Sequence, residues 1–221
     1  MSKMQEKLAE KFSSEIREAL TELPRQAYDL NAGQYDPSIG HNEMVFGLMV
    51  HQTLKFLITK LAEKAPWLKI LQAAPRFIFH IRDFKISAYR VGESLDGDIS
   101  CLLPRNRTGA GMLARSNQLQ MAFDFMNDDN EVADDSNCSN LILAHSGTAE
   151  AGLSRLFLGV PISVDHRNCV TKWGATLEIF GGDSDSLGGA VVSGPPPLQP
   201  PAEKIAPPTL ALKPKKQQEA Q

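Results

Sequence analysis

Eight of the chain's fourteen prolines lie at or beyond Pro195. Proline fixes φ and removes a backbone donor, so the stretch PPPLQPPAEKIAPPTLALKPKKQQEAQ builds neither a helix nor an interior strand. It is expected to be disordered or extended polyproline II, its 27 residues reaching on the order of 80 Å at full stretch. The glycine- and serine-rich segment 181–194 reads as a hinge before it. A single folded domain is therefore expected over residues 1–180, followed by hinge 181–194 and proline-rich tail 195–221.

Within that domain the composition is ordinary. Of 221 residues, 42% are hydrophobic and 22% charged, which excludes a collagen-like chain, a disulfide-stapled miniprotein and a chain disordered throughout. A net charge of −3 also disfavours nucleic-acid binding by bulk electrostatics alone. Charges recur along MSKMQEKLAEKFSSEIREAL without an apolar run, so no secretory signal is expected. The greasiest run, Met44 to Ile58, is shorter than the ~20 residues of a spanning helix and carries His51, Gln52 and Lys55. A buried helix, and no membrane contact, is the reading. Cys101, Cys138 and Cys169 are odd in number and form no CxxC pair, which points to reduced thiols in a cytoplasm. The sequons at Asn106 and Asn137 are then chance matches.

Apolar periodicity divides the domain in two. Met4, Leu8, Phe12, Ile16 and Leu20 recur four apart and predict one amphipathic helix over 2–22, closed by Pro24. A second helix is predicted over 42–64, N-capped by Asn42, apolar on most sides and so central. A short third one is placed over 66–74, with Pro66 in its first turn. The period then changes to two. In RFIFHIRDFKISAYRV, a hairpin turning at Arg82-Asp83 sets Ile81 opposite Phe84 and Phe79 opposite Ile86, with His80 and Lys85 paired on the other side. Strands are also predicted over 117–125, 141–145, 156–162 (Pro161 marking an edge or a bulge) and 175–180. Helices first and strands afterwards give an α+β fold, N-terminal helices packed on a largely antiparallel β-sheet.

Charge is uneven along the chain. Residues 75–120 hold seven basic against four acidic side chains, and residues 121–189 hold three against eleven. Arg76, His80, Arg82 and Lys85 on the hairpin, with Tyr89, form a basic and partly aromatic face. Arg105, Arg107 and Arg115 flank the small residues Gly109 to Ala114, a setting that suits a phosphate or carboxylate. The simpler expectation there is a glycine turn with solvated arginines. The acidic stretch 124–135 is expected to be a surface loop, since an EF-hand beginning at Asp128 would have Val132 and Ala133 at its fifth and sixth positions.

Catalytic templates fail on particular residues. Gly109-Ala110-Gly111-Met112-Leu113-Ala114 matches the GxGxxA dinucleotide fingerprint, but no strand is read before it and a strand pattern resumes within six residues. His145-Ser146-Gly147 ends an apolar strand, yet a nucleophile elbow requires glycine where the chain has Ala144. His145 shares a face with Leu141 and Leu143, so a core histidine is the competing reading. His166 and Cys169 supply half of a zinc site at most, and His41 and His51 do not align on a helix.

The function expected first is a cytoplasmic, non-enzymatic interaction or adaptor protein. It binds another protein through its folded surface and its tail, where Pro197 and Pro200 frame a PxxP segment. Neither cofactor nor metal is expected. A nucleic-acid-binding accessory protein using Arg76, His80, Arg82, Lys85, Arg105, Arg107 and Arg115 is the second reading. A hydrolase or transferase centred on His145, with Ser146 or an acidic-loop carboxylate, is the third.

Overall fold

A computed structural model of the protein describes residues 2–73, 76–91, 99, 102–104, 107–127, 137–167 and 169–181, without the side chains of 107, 108 and 123–127. Chain contacts separate Met1–Ser184 from Asp185–Gln221. The proline-rich tail, with Pro197 and Pro200, lies outside the described residues.

The order is α1 (Lys3–Lys11), α2 (Ser14–Ala32), α3 (Glu43–Ala62), β1 (Leu68–Gln72), β2 (Ile78–Ile81), β3 (Phe84–Arg90), α4 (Arg107–Asn127), β4 (Asn140–Thr148), β5 (Gly152–Val164) and β6 (Val170–Phe180). Among the described residues six strands form one sheet in the order β1-β2-β3-β4-β5-β6. All neighbours are antiparallel except β3 and β4, which run parallel and are joined through α4. Among the described residues the fold is α+β: four α-helices on a mixed, mostly antiparallel sheet.

The hairpin has the expected register, with Ile81 opposite Phe84, His80 opposite Lys85 and Phe79 opposite Ile86. Its two-residue turn places Arg82 at φ 52°. Asn42 caps α3 as expected, its Oδ1 accepting from the Met44 and Val45 amides at 3.0 Å. Pro161 sits inside β5 opposite Trp173, with register shifts on both sides, so it marks a bulge.

Several expected elements differ. The helix predicted over 2–22 is two helices, although its stripe Met4, Leu8, Phe12, Ile16 and Leu20 is buried throughout. Phe12 leaves helical geometry at φ −100°, ψ 82°, and Ser13 takes the N-cap position of α2. Arg17 secures the corner, its Nε donating to the Phe12 carbonyl at 2.7 Å and its Nη2 to that of Ala9 at 3.0 Å. Pro24 does not close a helix; it lies buried within α2, which continues because Ala27, Tyr28 and Asn31 beyond it are buried too. Residues 68–72 form β1 where a helix was expected, their burial alternating along the strand.

The strand predicted over 117–125 is part of α4. Ala110, Ala114 and Asn117, at helical spacing, are wholly buried, and the helix satisfies more packing than the alternation of Leu119 and Met121 would. Gly109 to Ala114 is thus a pair of helical turns and not a loop. Its small residues let α4 pack against Phe157, Trp173, Ile142 and Ala144. Asn117 ties α4 to the sheet, donating through Nδ2 to the carbonyls of Asn140 (2.9 Å) and Pro161 (3.0 Å).

The layers follow from strand alternation. Leu141, Leu143, Leu156 and Leu158 face the core under α1, α2 and α3, and Ile142, Ala144 and Phe157 face that under α4.

Candidate functional site

Three places gather chemistry, and the first lies where the parallel strands end. Parallel register sets Arg90 of β3 beside His145 of β4. Strand parity turns Arg90 to the side of Ile86 and Ala88, beneath α3. Its Nη2 meets Glu43 Oε2 at 2.8 Å and donates to the Gly147 carbonyl at 2.8 Å, while Nη1 donates to the Glu43 carbonyl at 3.0 Å. The guanidinium carbon stands 6.0 Å from the Phe46 ring centroid. A Cβ on Gly47 would lie 3.1 Å from Arg90 Nη1, so glycine in α3 gives this side chain its room. Arg90 thereby clamps the first turn of α3 to the end of β4.

Beside it, Tyr28 of α2 reaches into the sheet. Its hydroxyl is 3.1 Å from His145 Nδ1. His145 is fully buried, and among the described residues its Nε2 has no hydrogen-bond partner. Burial, then the charges of His51 and Arg90, lower the imidazole pKa to about 3, so it is neutral at physiological pH. Burial raises the Tyr28 phenol above its ordinary value, opposed by the neighbouring Arg90. Ser146 points to the opposite face of β4, as successive strand residues do, and its Oγ is 3.0 Å from that of Ser154. The structure therefore does not bring His145 and Ser146 together. A neutral, sealed imidazole bonded to a phenol performs the chemistry of a core hydrogen bond.

The second place is the hairpin face. Lys69 of β1 pairs with His80, and His80 with Lys85, giving one row of nitrogen-bearing side chains across three strands. β1, β2 and β3 contain no aspartate or glutamate. Because α4 makes its main contacts with β4, β5 and β6, this side of β1–β3 carries no helix among the described residues. Lys69 and Lys85 are exposed, and Arg76, His80 and Tyr89 partly so. Burial, opposed by the charge of Arg76, raises the Tyr89 phenol pKa. Arg82 lies in the turn and Arg115 is exposed on α4. Arg105 and the side chain of Arg107 lie outside the described residues, as do residues 128–135 of the acidic stretch, whose first member, Asp124, belongs to the α4 backbone.

The third place was expected to be buried. The outer crest of α3 exposes Met44 (78%), Leu48 (59%) and Phe56 (60%), each at a multiple of four from the others, with Gln52 completing the line. Ile39, in the short turn before α3, is 71% exposed. Phe46, Val50, Leu54 and Ile58 are buried in the core and Leu57, Leu61 and Ala62 pack partly buried against it, but the crest stays in water, so the reading of α3 as enclosed on most sides does not hold.

The weaker motifs occupy turns. Asp165 Oδ1 accepts from the amides of Arg167 and Cys169, both at 2.8 Å, which with nearby positive charge lowers its pKa. His166 is exposed in that turn. His41 precedes α3, its Nδ1 accepting from the Asp36 amide at 3.1 Å. Among the described residues no three of His, Cys, Asp and Glu are grouped to hold a metal, and no helix is long and apolar enough to cross a membrane.

No family model matches the sequence, no curated protein matches it, and no solved structure matches the fold.

Proposed function

We propose that the protein is a non-enzymatic interaction module that binds protein through the crest of α3, with the proline-rich tail as a second contact. The observation that carries this reading is the line Met44, Leu48 and Phe56, three large apolar side chains left in water on one ridge. Single exposed apolar residues are ordinary, but an aligned set on a helix is the form in which helix surfaces are recognised. A nuclease-treated pull-down with the full chain is expected to recover a protein partner that Leu48→Glu loses and that a chain ending at Ser193 holds more weakly. The shortened chain should melt within about 1 °C of the full one, since the proline-rich sequence removed builds neither a helix nor an interior strand. Undiminished capture by both variants would overturn the proposal.

The row Lys69, His80 and Lys85 favours a second reading, a surface for single-stranded nucleic acid. Replacing Lys69 and Lys85 by alanine should then lower the slope of log affinity against log salt by about 1.4, two released counterions' worth. An unchanged slope in fluorescence anisotropy with a labelled oligonucleotide removes this reading, and the Arg105→Ala, Arg107→Ala pair tests the adjoining arginines.

A further inference from the structure

We infer that the crest of α3 docks on the same crest of a second copy of this chain, the two helices running antiparallel about a twofold axis. The inference rests on the reading of that ridge as a protein-binding surface and names its occupant. Met44, Leu48, Gln52 and Phe56 are four residues apart, so the line has its own midpoint between Leu48 and Gln52. Reversing one copy about that midpoint sets Met44 against the partner's Phe56, and Leu48 against the partner's Gln52. A patch that matches its own reverse in this way is what an isologous interface requires. Ridges of residues four apart pack into one another in the commonest class of helix crossing.

Charge selects this orientation. Asp36 and Glu43 lie at the N-terminal end of the crest, whereas Lys60 and Lys64 lie toward its C-terminal end, where Glu63 pairs with Lys60 at 3.0 Å; Lys55 stands over the Phe77 ring on the sheet side. Antiparallel docking brings the acidic end of each helix to the basic end of the other and opposes their dipoles; parallel docking sets like against like. Lys60 already stands 6.0 Å from the Phe56 ring centroid, so it can remain over that ring as a rim charge while the ring is covered. Glu43 keeps its bond to Arg90 and is not needed as a direct contact.

The contact is narrow, so the dimer is a transient one, with a dissociation constant on the order of 10–100 μM. Gln52 is the weak point of the ridge, since it faces an apolar partner. Its consequence for function is avidity: a dimer presents two proline-rich tails, and a partner with two tail-binding sites is held more tightly than by either tail alone.

Sedimentation of the full chain from about 5 to 200 μM tests this. The mass should rise toward twice the monomer's. Leu48→Glu should remain monomeric throughout, and Gln52→Leu should tighten the dimer by about tenfold or more, because each dimer buries two added leucines. Both positions are exposed, so circular dichroism and melting temperature should match the unsubstituted protein and confirm that neither change acts through folding. A chain that stays monomeric to 200 μM, or a dimer indifferent to both substitutions, overturns the inference. If the protein stays monomeric while Leu48→Glu still abolishes capture of another protein, self-docking fails and the interaction reading of the ridge stands. If capture is unaffected as well, both fail.

Discussion

Taking the protein from pH 7 to pH 5 should cost it about 2 kcal/mol of unfolding free energy, and His145→Gln should remove most of that loss. His145 titrates at about 3 in the fold because it is buried between Tyr28 of α2, His51 of α3 and Arg90 of β3, two of which repel an added proton. In the unfolded chain it titrates near the ordinary histidine value of about 6.5. The folded pKa is therefore the lower one, and between the two values the unfolded state holds the extra proton. The contribution is complete above pH ~6.5 and declines as pH falls toward 3, by about 1.4 kcal/mol per unit. Since pH 5 stands well above the folded value, the loss there depends on the unfolded value alone. The window also separates the histidines from the carboxylates. Asp36 and Asp165 have lowered pKa values, Asp36 through bonds from Ser38 and Asp165 through the Cys169 amide, so their contributions are lost only as carboxylates protonate below this range. His51, lowered by burial and by Lys55, acts in the same direction as His145 and accounts for what remains in the variant. Urea unfolding at pH 7.5, 6 and 5 reads the difference directly. The two proteins will have different stabilities at pH 7.5; the test is the change with pH. Equal losses in both would show that the imidazole accepts its proton without unfolding.

The hairpin was legible because a period of two leaves one register that puts Phe79, Ile81, Phe84 and Ile86 on the same side. His145 was legible as a core residue for the same reason, through its parity with Leu141 and Leu143. Arg90 carried that signal as well, two and four residues from Ala88 and Ile86, but a charge at the end of a strand reads as solvated until Glu43 and Gly47 are brought over it. Nothing local announces contacts across 47 residues. Residues 109–125 failed for a different reason. Leu119, Met121, Phe123 and Phe125 fit a strand, while Ala110, Ala114, Asn117 and Met121 fit a helix, and only the sheet surface under the small residues decides between them. The crest of α3 was hidden by its own composition. When apolar residues occupy most sides of a helix, spacing cannot tell which side the sheet takes, and the exposed remainder emerges only after packing.

Gly147→Ala should be a strongly damaging substitution. A Cβ there would stand 2.1 Å from the Gly152 carbonyl oxygen and 2.7 Å from Cε1 of Tyr28. The first obstacle is backbone of the paired strand and the second a buried ring, so neither moves aside alone. Relief requires β4 to shift at its bulge between Ser146 and Gly147, and that shift pulls on both halves of the polar cluster. The Gly147 carbonyl accepts from Arg90, which holds Glu43, and Tyr28 meets His145. Overpacking alone costs about 1–3 kcal/mol, and strain on these bonds brings the expected loss to about 3 kcal/mol or more, a fall of roughly 6–12 °C in melting temperature. Gly33→Ala is the matched comparison, a glycine at φ −68° at the end of α2 with nothing within 4 Å of the added carbon. There the same methyl should leave stability unchanged or raise it by up to about 1 kcal/mol by restricting the unfolded chain. Thermal melts of the two variants separate steric exclusion from any general cost of replacing glycine. If Gly147→Ala melts within 2 °C of the Gly33 variant, the close approach of β4, β5 and Tyr28 is not what holds this end of the sheet together.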